Sequence, residues 1–355
     1  MLRQTLQSFL RGPHLKKPKV MSSQSNQEGQ AVELTYRESI RVALEDSLEE
    51  DHDVVLLGED IAAAGGPFKT TDGLLDKFGE DRVIDTPIAE NGFAGIALGM
   101  AMTGLRPVIE IMFSDFLPVA YDSIAMQMSR LRFMSGGQTS APVTVRSSGG
   151  AGGRFGAQTS STGESWFLQF YGLQIAVPSS PQSAYGLLRT AIRENNPVVV
   201  FEHKALHSLK GPVARGDSDL PEIGKAETLR SGSDVTLVGS LLMVQRALEV
   251  ADDPEIGGID PEIIDIRWVR PLDLSTIRKS VEKTGRLVIV EEQYHDGGWG
   301  ASVLSRLILD GTTFSTPPIC VSMPEILISH SPVIEDATIP SHARIKDALI
   351  RSIEG

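Results

Sequence analysis

The stretch Val54-Val55-Leu56-Leu57-Gly58-Glu59-Asp60 decides the fold class of this 355-residue chain. Four consecutive apolar residues that end in a glycine and two acids are typical of a strand buried on both faces of a parallel sheet. Similar runs recur at Val108 to Met112, Val143 to Arg146 and Val198 to Glu202. Segments with helical periodicity lie between them, at 92–104, 116–134 and 181–194. Alternating strands and helices predict a parallel sheet covered by helices on both faces.

A second series of strands and helices follows. Its strand candidates are Val235 to Val238, Ile263 to Asp265, Leu287 to Val290 and Ile319 to Val321, with helices near 241–251, 273–283 and 300–309. The fold class is therefore predicted to be α/β, with two parallel-sheet domains at 34–205 and 225–352. Residues 206–224 contain Gly, Pro and mixed charges with little periodicity, and we interpret them as a linker.

Composition and charge narrow the class of protein. A hydrophobic content of 41% and a charged content of 22% are ordinary for a globular protein, so a sizeable core is expected. The net charge of −13 argues against nucleic acid as the main partner, because phosphate binding needs clustered Lys and Arg. No apolar run approaches the length of a membrane-spanning helix. The single cysteine, Cys320, excludes an intrachain disulfide framework and fits a reducing compartment.

Residues 1–33 differ in composition from the rest of the chain. Their basic residues are Arg3, Arg11, Lys16, Lys17 and Lys19, and no acidic residue precedes Glu28. Such a leader is typical of a mitochondrial transit peptide, but it also fits a disordered extension or a true start at Met21. We expect a disordered or targeting extension. The predicted location is cytoplasmic, or the mitochondrial matrix if the leader is a transit peptide.

The stretch most informative about function is Asp85-Thr86-Pro87-Ile88-Ala89-Glu90-Asn91-Gly92-Phe93-Ala94-Gly95. Glu90 stands at the start of a predicted helix that is rich in glycine and alanine. Each glycine weakens a helix by about 1 kcal/mol relative to alanine, so this surplus indicates close approach of another backbone or a ligand. Taken alone, the stretch is better explained by tight helix packing, with Glu90 a solvated acid favoured by the helix dipole.

Four further segments are candidates for chemistry. Glu110 to Phe116 closes a strand, and Phe116 by itself fits a core aromatic. Arg146 to Ser161 is rich in glycine but lacks the Gly-Lys-Ser/Thr ending of a nucleotide P-loop. Ala191 to Pro197 fits a helix end closed by Asn and Pro. Gly297 to Gly300 is only weakly similar to a dinucleotide fingerprint and is interpreted as a turn.

In their order and spacing, these segments resemble the β subunits of the decarboxylating component of pyruvate, branched-chain 2-oxoacid and acetoin dehydrogenases. The resemblance covers about 34–352 and extends to Gly104 to Pro107, Met134 to Gly137 and Arg270 to Asp273. It implies a transketolase-like fold, with a thiamine-pyrimidine-binding domain followed by a transketolase C-terminal-like domain. It also implies oxidative decarboxylation of a 2-oxoacid with acyl transfer to a lipoyl group. Two alternatives stay open: an acetoin dehydrogenase β subunit, and a non-oxidative, transketolase-like half that transfers an aldehyde.

The resemblance implies that thiamine diphosphate is the cofactor and assigns roles to three residues. Glu90 would hydrogen-bond a ring nitrogen of the aminopyrimidine and so activate the cofactor as the catalytic carboxylate. Phe116 would stack on the pyrimidine ring, and Ile88 would contact the cofactor.

One position departs from the family pattern. The resembled dehydrogenases carry Ala-Gln-His-Ser after the glycine-rich loop, whereas this chain has Ala157-Gln158-Thr159-Ser160. Threonine can hydrogen-bond but cannot carry a proton near neutral pH, which puts acyl transfer to the lipoyl group in doubt. His203 and His207 follow a predicted strand. They could take over the role of the missing loop histidine, or they could be structural histidines.

The resemblance also implies metal ions and partners. A potassium ion would be held largely by backbone carbonyls at Val143, Ala191, Ile192, Glu194 and Asn196, with Glu194 in place of the usual Asp. The Gly-Asp-Gly…Asn motif that holds Mg²⁺ and the diphosphate in thiamine enzymes is missing from the sequence. The resemblance therefore implies that an α subunit holds the Mg²⁺, in an α2β2 heterotetramer that works with a lipoyl acyltransferase core.

Overall fold

The computed structural model describes residues 31–354, so nearly all of the expected extension at 1–33 lies outside the described residues. In the first half, the strands are β1 (Val32–Thr35), β2 (Val54–Gly58), β3 (Val83–Asp85), β4 (Arg106–Phe113), β5 (Thr144–Gly149), β6 (Gln174–Ala176), β7 (Val198–His203) and β8 (Lys210–Val213). The helices between them are α1 (Tyr36–Glu50), α2 (Leu74–Phe78), α3 (Glu90–Met102), α4 (Ser129–Met134) and α5 (Pro181–Arg193).

The second half continues the alternation. Its strands are β9 (Glu227–Arg230), β10 (Val235–Gly239), β11 (Pro261–Asp265), β12 (Trp268–Arg270), β13 (Leu287–Tyr294) and β14 (Ile319–Met323). Its helices are α6 (Leu242–Ala251), α7 (Leu274–Thr284), α8 (Trp299–Leu309), α9 (Pro332–Thr338) and α10 (His342–Glu354). The predicted strands and helices of this half all occur, and β9, β12, α9 and α10 are additions.

Two sheets organise the molecule, as the sequence predicts. The first has seven strands in the order β12-β6-β7-β5-β4-β2-β3, and the second has five in the order β14-β13-β10-β11-β9. Every pairing in the two sheets is parallel except β12 with β6 and β9 with β11. The α/β class with two mainly parallel sheets is therefore confirmed, and an antiparallel edge strand makes each sheet mixed.

The two sheets are closely joined. Strand β12 comes from the second half of the sequence but pairs with β6 at the edge of the first sheet. One hydrophobic core contains Val145 and Ile175 of the first sheet together with Ile264 and Leu287 of the second. The predicted linker at 206–224 contains β8, which pairs with β1 in a separate two-stranded sheet. The predicted domain boundaries stay predictions.

The helix predicted at 116–134 is not one continuous α-helix. A 3-10 helix at Ser114–Ala120 is followed by a π-helix at Asp122–Met128 and then by α4. Pro118 lies inside the first of these, and a proline removes a backbone donor and disfavours α geometry in the residue before it. A π-helical turn inside a helix is frequently found at functional sites.

Candidate active site

The candidate site lies along the carboxyl edge of the first sheet. Glu59 follows β2 directly, Ser114 follows β4, Gly150 follows β5 and Lys204 follows β7. Neighbouring strands are about 4.8 Å apart, so these residues begin segments that line one continuous edge. The chain adds β3 on one side of β2 and then β4, β5 and β7 on the other. Ligands of open α/β sheets bind at such a topological switch point.

Glu90 is the first residue of α3 and is only 8% exposed. Its neighbour Asn91 is held by Ser123 of the π-helix, which donates from its backbone N–H to Asn91 Oδ1 over 3.1 Å and from its hydroxyl to the Asn91 carbonyl over 2.9 Å. The π-helix thus fixes the start of α3. A buried carboxylate at a helix N-terminus is favoured by the helix dipole, so Glu90 is kept in place without solvent around it.

Glu59 is a site residue that the sequence analysis missed. Burial and the nearby charge of Glu90 raise the pKa of Glu59 above its ordinary value. Its Oε1 atom and the hydroxyl of Thr86 are buried without a hydrogen-bond partner among residues 31–354. Two neighbouring carboxyls and an unpartnered hydroxyl suit a ligand group with several N–H donors, such as an aminopyrimidine. The signal in the sequence was an acid directly after a buried strand.

The other two predicted cofactor contacts have different surroundings. Phe116 is half-buried and meets Phe113 edge-to-face, with ring centroids 5.6 Å apart at 90°. Ile88 is 83% exposed, so most of its side chain is open to a molecule other than this chain. The contacts of both residues with a cofactor stay predictions.

The glycine-rich loop after β5 is engaged by the second half of the molecule. The backbone N–H of Ala151 donates to Glu292 over 2.6 Å, and that of Gly152 donates to Glu335 over 2.9 Å. Gly150 has a φ of +87°, and a Cβ there would lie 2.0 Å from Nε2 of His203. The loop conformation therefore requires glycine at position 150. The amides of Ala151 and Gly152 are already bound by Glu292 and Glu335, so they are not free to bind an anion.

His203 is the last residue of β7 and His207 lies shortly after it, and both have structural surroundings. His203 Nδ1 accepts from the Ala205 N–H over 3.2 Å, which leaves Nε2 to donate to Glu292 over 3.0 Å. Burial, with the charge of Arg146 adding to it, lowers the pKa of His207 to about 3. One histidine is thus fixed by its partners and the other stays neutral at physiological pH. We favour the structural interpretation of both.

Thr159, at the position of the family histidine, is half-buried and turned toward its own loop. Its hydroxyl donates to the Phe155 carbonyl over 3.3 Å. Its backbone carbonyl accepts a hydrogen bond from the ammonium of Lys204. The side chain of Thr159 therefore has a partner within the loop, and the charged group beside it is Lys204, the residue after β7.

A buried ion triad joins three strands beneath the site. Arg146 donates to Glu110 and to Glu202 over 2.8 Å each, and all three side chains are at least nine-tenths buried. The three residues lie on β5, β4 and β7, which are neighbours in the sheet. Burial raises the pKa of Glu202 even though the charge of Arg146 opposes this. The triad ties together the strands whose carboxyl ends form the site.

The structure brings together the residues of the predicted potassium site. Arg106, which the prediction did not include, donates to the carbonyls of Ile192 over 2.9 Å and Glu194 over 2.7 Å. Asn196 donates from Nδ2 to Glu194 over 2.7 Å. Ala191 lies in the same helix end, at the C-terminus of α5. Val143 lies beside the start of β7, because its carbonyl accepts from the N–H of Val198 over 3.0 Å. Val198 is two residues after Asn196.

No three His, Cys, Asp or Glu side chains among residues 31–354 are grouped so that they could share a metal ion. None of the helices in the same range has the length and apolar character needed to cross a bilayer.

Matches to two domain families place the chain among the transketolase-type proteins. Residues 32–208 match the family "Transketolase, pyrimidine binding domain", and residues 224–345 match "Transketolase, C-terminal domain". A solved structure named "Split gene transketolase, inactive beta4 tetramer" has the same fold, with a TM-score of 0.75 and 21% identity. The similarity covers 90% of this chain and 98% of that one.

Relatives in sequence define the family more closely. The pyruvate dehydrogenase E1 component subunit beta of Bacillus subtilis (strain 168) is 38% identical over 327 residues, which cover 91% of this chain and 99% of the relative. The protein of the same name from Rhizobium meliloti (strain 1021) is 38% identical over 317 residues, covering 89% of this chain and 69% of the relative. The chain belongs to the family of pyruvate dehydrogenase E1 component β subunits.

Proposed function

We propose that this chain is the β subunit of a thiamine-diphosphate-dependent 2-oxoacid dehydrogenase and is active only with an α subunit. The observation that carries the proposal is the buried carboxylate of Glu90 at the start of α3, beside Glu59 at the switch point of the first sheet. The names of the relatives, E1 component subunit beta, support the same reaction class. The reaction is oxidative decarboxylation of a 2-oxoacid, pyruvate or branched-chain, followed by acyl transfer to a lipoyl group.

The roles of this chain's residues follow from their positions. The cofactor supplies the nucleophilic carbon and the electron sink when it is bound. Glu90 would accept a hydrogen bond from a pyrimidine nitrogen and hold the ring in the tautomer that reacts. Glu59, whose pKa is raised, keeps a proton more readily than an ordinary carboxyl and so limits the negative charge beside Glu90. Phe116 and Ile88 would exclude water from the ring.

The second half of the site would come from an α subunit. Helix α3 begins beside the site and exposes Ile96 and Met102, and Ile88 precedes it with 83% of its surface exposed. An exposed apolar strip of this kind is typical of a protein interface. We propose that the α subunit covers it, holds the diphosphate through Mg²⁺ and forms an α2β2 heterotetramer.

Three further assignments belong to the proposal. A potassium ion would bind next to Arg106, at Val143, Ala191, Ile192, Glu194 and Asn196. Calorimetry that compares potassium with lithium salts would test this site. A lipoyl acyltransferase core would accept the acyl group, and co-purification would test that partner. We propose a cytoplasmic location, or the mitochondrial matrix if residues 1–33 are a targeting segment, and imaging of a fluorescent fusion would distinguish the two.

The central test is replacement of Glu90 in the complex with the α chain. We expect Glu90→Gln to lower 2-oxoacid-dependent reduction of an artificial electron acceptor by about 100-fold or more, because general acid–base groups contribute 10²- to 10⁴-fold. Calorimetric titration with thiamine diphosphate supplies a second readout, and its affinity should fall as well. The exposed Glu80→Gln is the matched control and should change neither. Full turnover in the Glu90 variant would refute the proposal.

A second candidate function is favoured by Thr159. A site without a proton-carrying side chain at this position suits transfer of the activated aldehyde to another aldehyde, without oxidation. An isolated lipoyl domain and an aldose acceptor, offered to the same complex, distinguish the two functions. Acylation of the lipoyl domain supports the dehydrogenase, and ketose formation alone supports the transferase.

A further inference from the structure

Lys204 is a buried cation at the carboxyl edge of the first sheet. It follows β7 directly and is only 9% exposed. Its ammonium lies 4.5 Å from the ring centroid of Phe155 and 5.2 Å from that of Phe113. It donates one hydrogen bond, to the carbonyl of Thr159, so two of its three donors have no protein acceptor among the hydrogen bonds of residues 31–354.

The charge of Lys204 has no carboxylate partner. The Lys204 ammonium takes part in none of the salt bridges among residues 31–354. Buried lysines are rare unless a carboxylate pairs with them. Burial lowers the pKa of Lys204 to about 8, and the charges of Asp115, Glu292 and Glu335 oppose this only from a distance.

Each of those three carboxylates already has its own donors. Asp115 accepts from the Ser161 N–H over 3.1 Å. Glu292 accepts from Ala151 and His203, and Glu335 pairs with Arg154 over 2.5 Å. The Lys204 ammonium is therefore a buried cation that no carboxylate among residues 31–354 pairs with, which favours an anion supplied from outside the chain.

Lys204 and the acidic residues Glu59 and Glu90 lie at different places along this edge of the sheet. Phe113 stands between Lys204 and Phe116, with its ring edge-to-face to Phe116 at 5.6 Å. Strands β7 and β4 are two positions apart in the sheet, which corresponds to about 10 Å. Glu59 and Glu90 lie farther along the same edge, so the positive and negative groups of the site are separated by the aromatic rings.

We propose that Lys204 binds the carboxylate of the substrate and so makes this site specific for 2-oxoacids over neutral ketones such as acetoin. The inference rests on the proposed function, since it assumes that the edge beside Phe116 receives the substrate. One ammonium hydrogen bond stays on the Thr159 carbonyl, and the two free donors go to the carboxylate oxygens. The aromatic rings of Phe113 and Phe155 keep water from the ion pair and so strengthen it.

The test uses the complex with the α chain, loaded with thiamine diphosphate, and an unreactive probe. Oxamate is a carboxylate analogue of pyruvate, and oxamide is its neutral counterpart. We expect Lys204→Gln to weaken oxamate binding by about 10- to 100-fold in calorimetry, because a hydrogen bond to a charged group is lost. Oxamide binding should change less than about twofold, and Lys204→Arg should retain most of the oxamate affinity. The exposed Lys210→Gln is the matched control.

The pH dependence gives an independent readout. Oxamate affinity should fall as the pH rises through about 8 in the natural chain, because the ammonium loses its proton. In Lys204→Arg this fall should disappear, since arginine stays charged. In turnover assays, Lys204→Gln should raise the KM for a 2-oxoacid far more than it lowers kcat.

Two results would overturn the inference. Unchanged oxamate affinity in Lys204→Gln would show that the ammonium does not bind the carboxylate. Equal loss of oxamate, oxamide and thiamine diphosphate binding would show that Lys204 serves only to order the loop at Thr159. Both differ from failure of the proposed function, in which Glu90→Gln would leave cofactor binding and turnover intact.

Discussion

Two groups of buried or half-buried carboxylates lie near the same edge of the first sheet, and the protein compensates the charge of only one group. Glu110 and Glu202 share the guanidinium of Arg146, so their charge is compensated inside the protein. Glu59 and Glu90 form no salt bridge among residues 31–354, and burial together with the charge of Glu90 raises the pKa of Glu59. The first group holds strands together, whereas the second is kept ready for a ligand. Buried charge alone therefore does not mark a site, but uncompensated buried charge does.

The largest expected effect comes from removing the shared cation of the compensated group. Arg146→Met leaves Glu110 and Glu202 buried without their shared cation, so we expect the free energy of unfolding to fall by about 3–5 kcal/mol. Chemical denaturation followed by circular dichroism measures it. Arg41→Met, which breaks a partly exposed pair with Glu45 one turn along α1, is the control and should cost less than about 1 kcal/mol. Equal losses in both variants would contradict the contrast drawn here.

An intermediate effect is expected at Glu164, a third buried carboxylate that belongs to neither group. Its side-chain oxygens have no hydrogen-bond partner among residues 31–354. Burial raises the pKa of Glu164 from 4.5 to about 8. The folded state thus keeps a proton that the unfolded state loses, and the free energy of unfolding falls as the pH rises between these two values.

Glu164→Gln should remove that dependence. We expect the variant to be more stable than the natural chain at pH 8 by a few kcal/mol, because glutamine has no proton to lose on unfolding. The two proteins should converge near pH 4.5, the ordinary pKa of the glutamate. Unfolding at several pH values measures the difference, with Glu80→Gln as the exposed control. A parallel pH dependence in both proteins would rule out Glu164 as its source.

The smallest change in the free energy of unfolding is expected at Glu59. It is an increase, whereas the same kind of change in the compensated group is a decrease. Glu59→Gln removes a carboxyl that is repelled by Glu90, so the free energy of unfolding should rise slightly. Glu202→Gln, the same change in the compensated group, should lower it. Denaturation midpoints of the two variants can be compared directly. A loss of stability in Glu59→Gln would mean that this carboxyl has a favourable partner in the folded chain.

The sequence predicted the features whose signals are contiguous. The apolar runs at β2, β4, β5 and β7 identified the first sheet, and the stretch around Glu90 identified the family. Features that depend on residues far apart were missed. Arg106 meets carbonyls at the end of α5, and Lys204 owes its unpaired charge to carboxylates whose donors come from other segments. Only the folded backbone brings such groups together.

Some errors in the predicted elements have local causes. The helix predicted at 116–134 was wrong as one α-helix because Pro118 is incompatible with regular α geometry near its start. Strand β12 was missed because it has only three residues and no periodicity of its own. Its pairing with β6 depends on the packing of the two halves, which a local pattern does not contain.

That pairing constrains how the chain acquires its structure during synthesis. Until Arg270 has left the ribosome, β6 is an open edge, and exposed strand edges invite pairing with other chains. The first sheet is therefore completed only after the first three strands of the second half have been translated. Proteolytic cleavage within 206–224 should for the same reason leave the two fragments associated, and the molecule should unfold in a single cooperative transition.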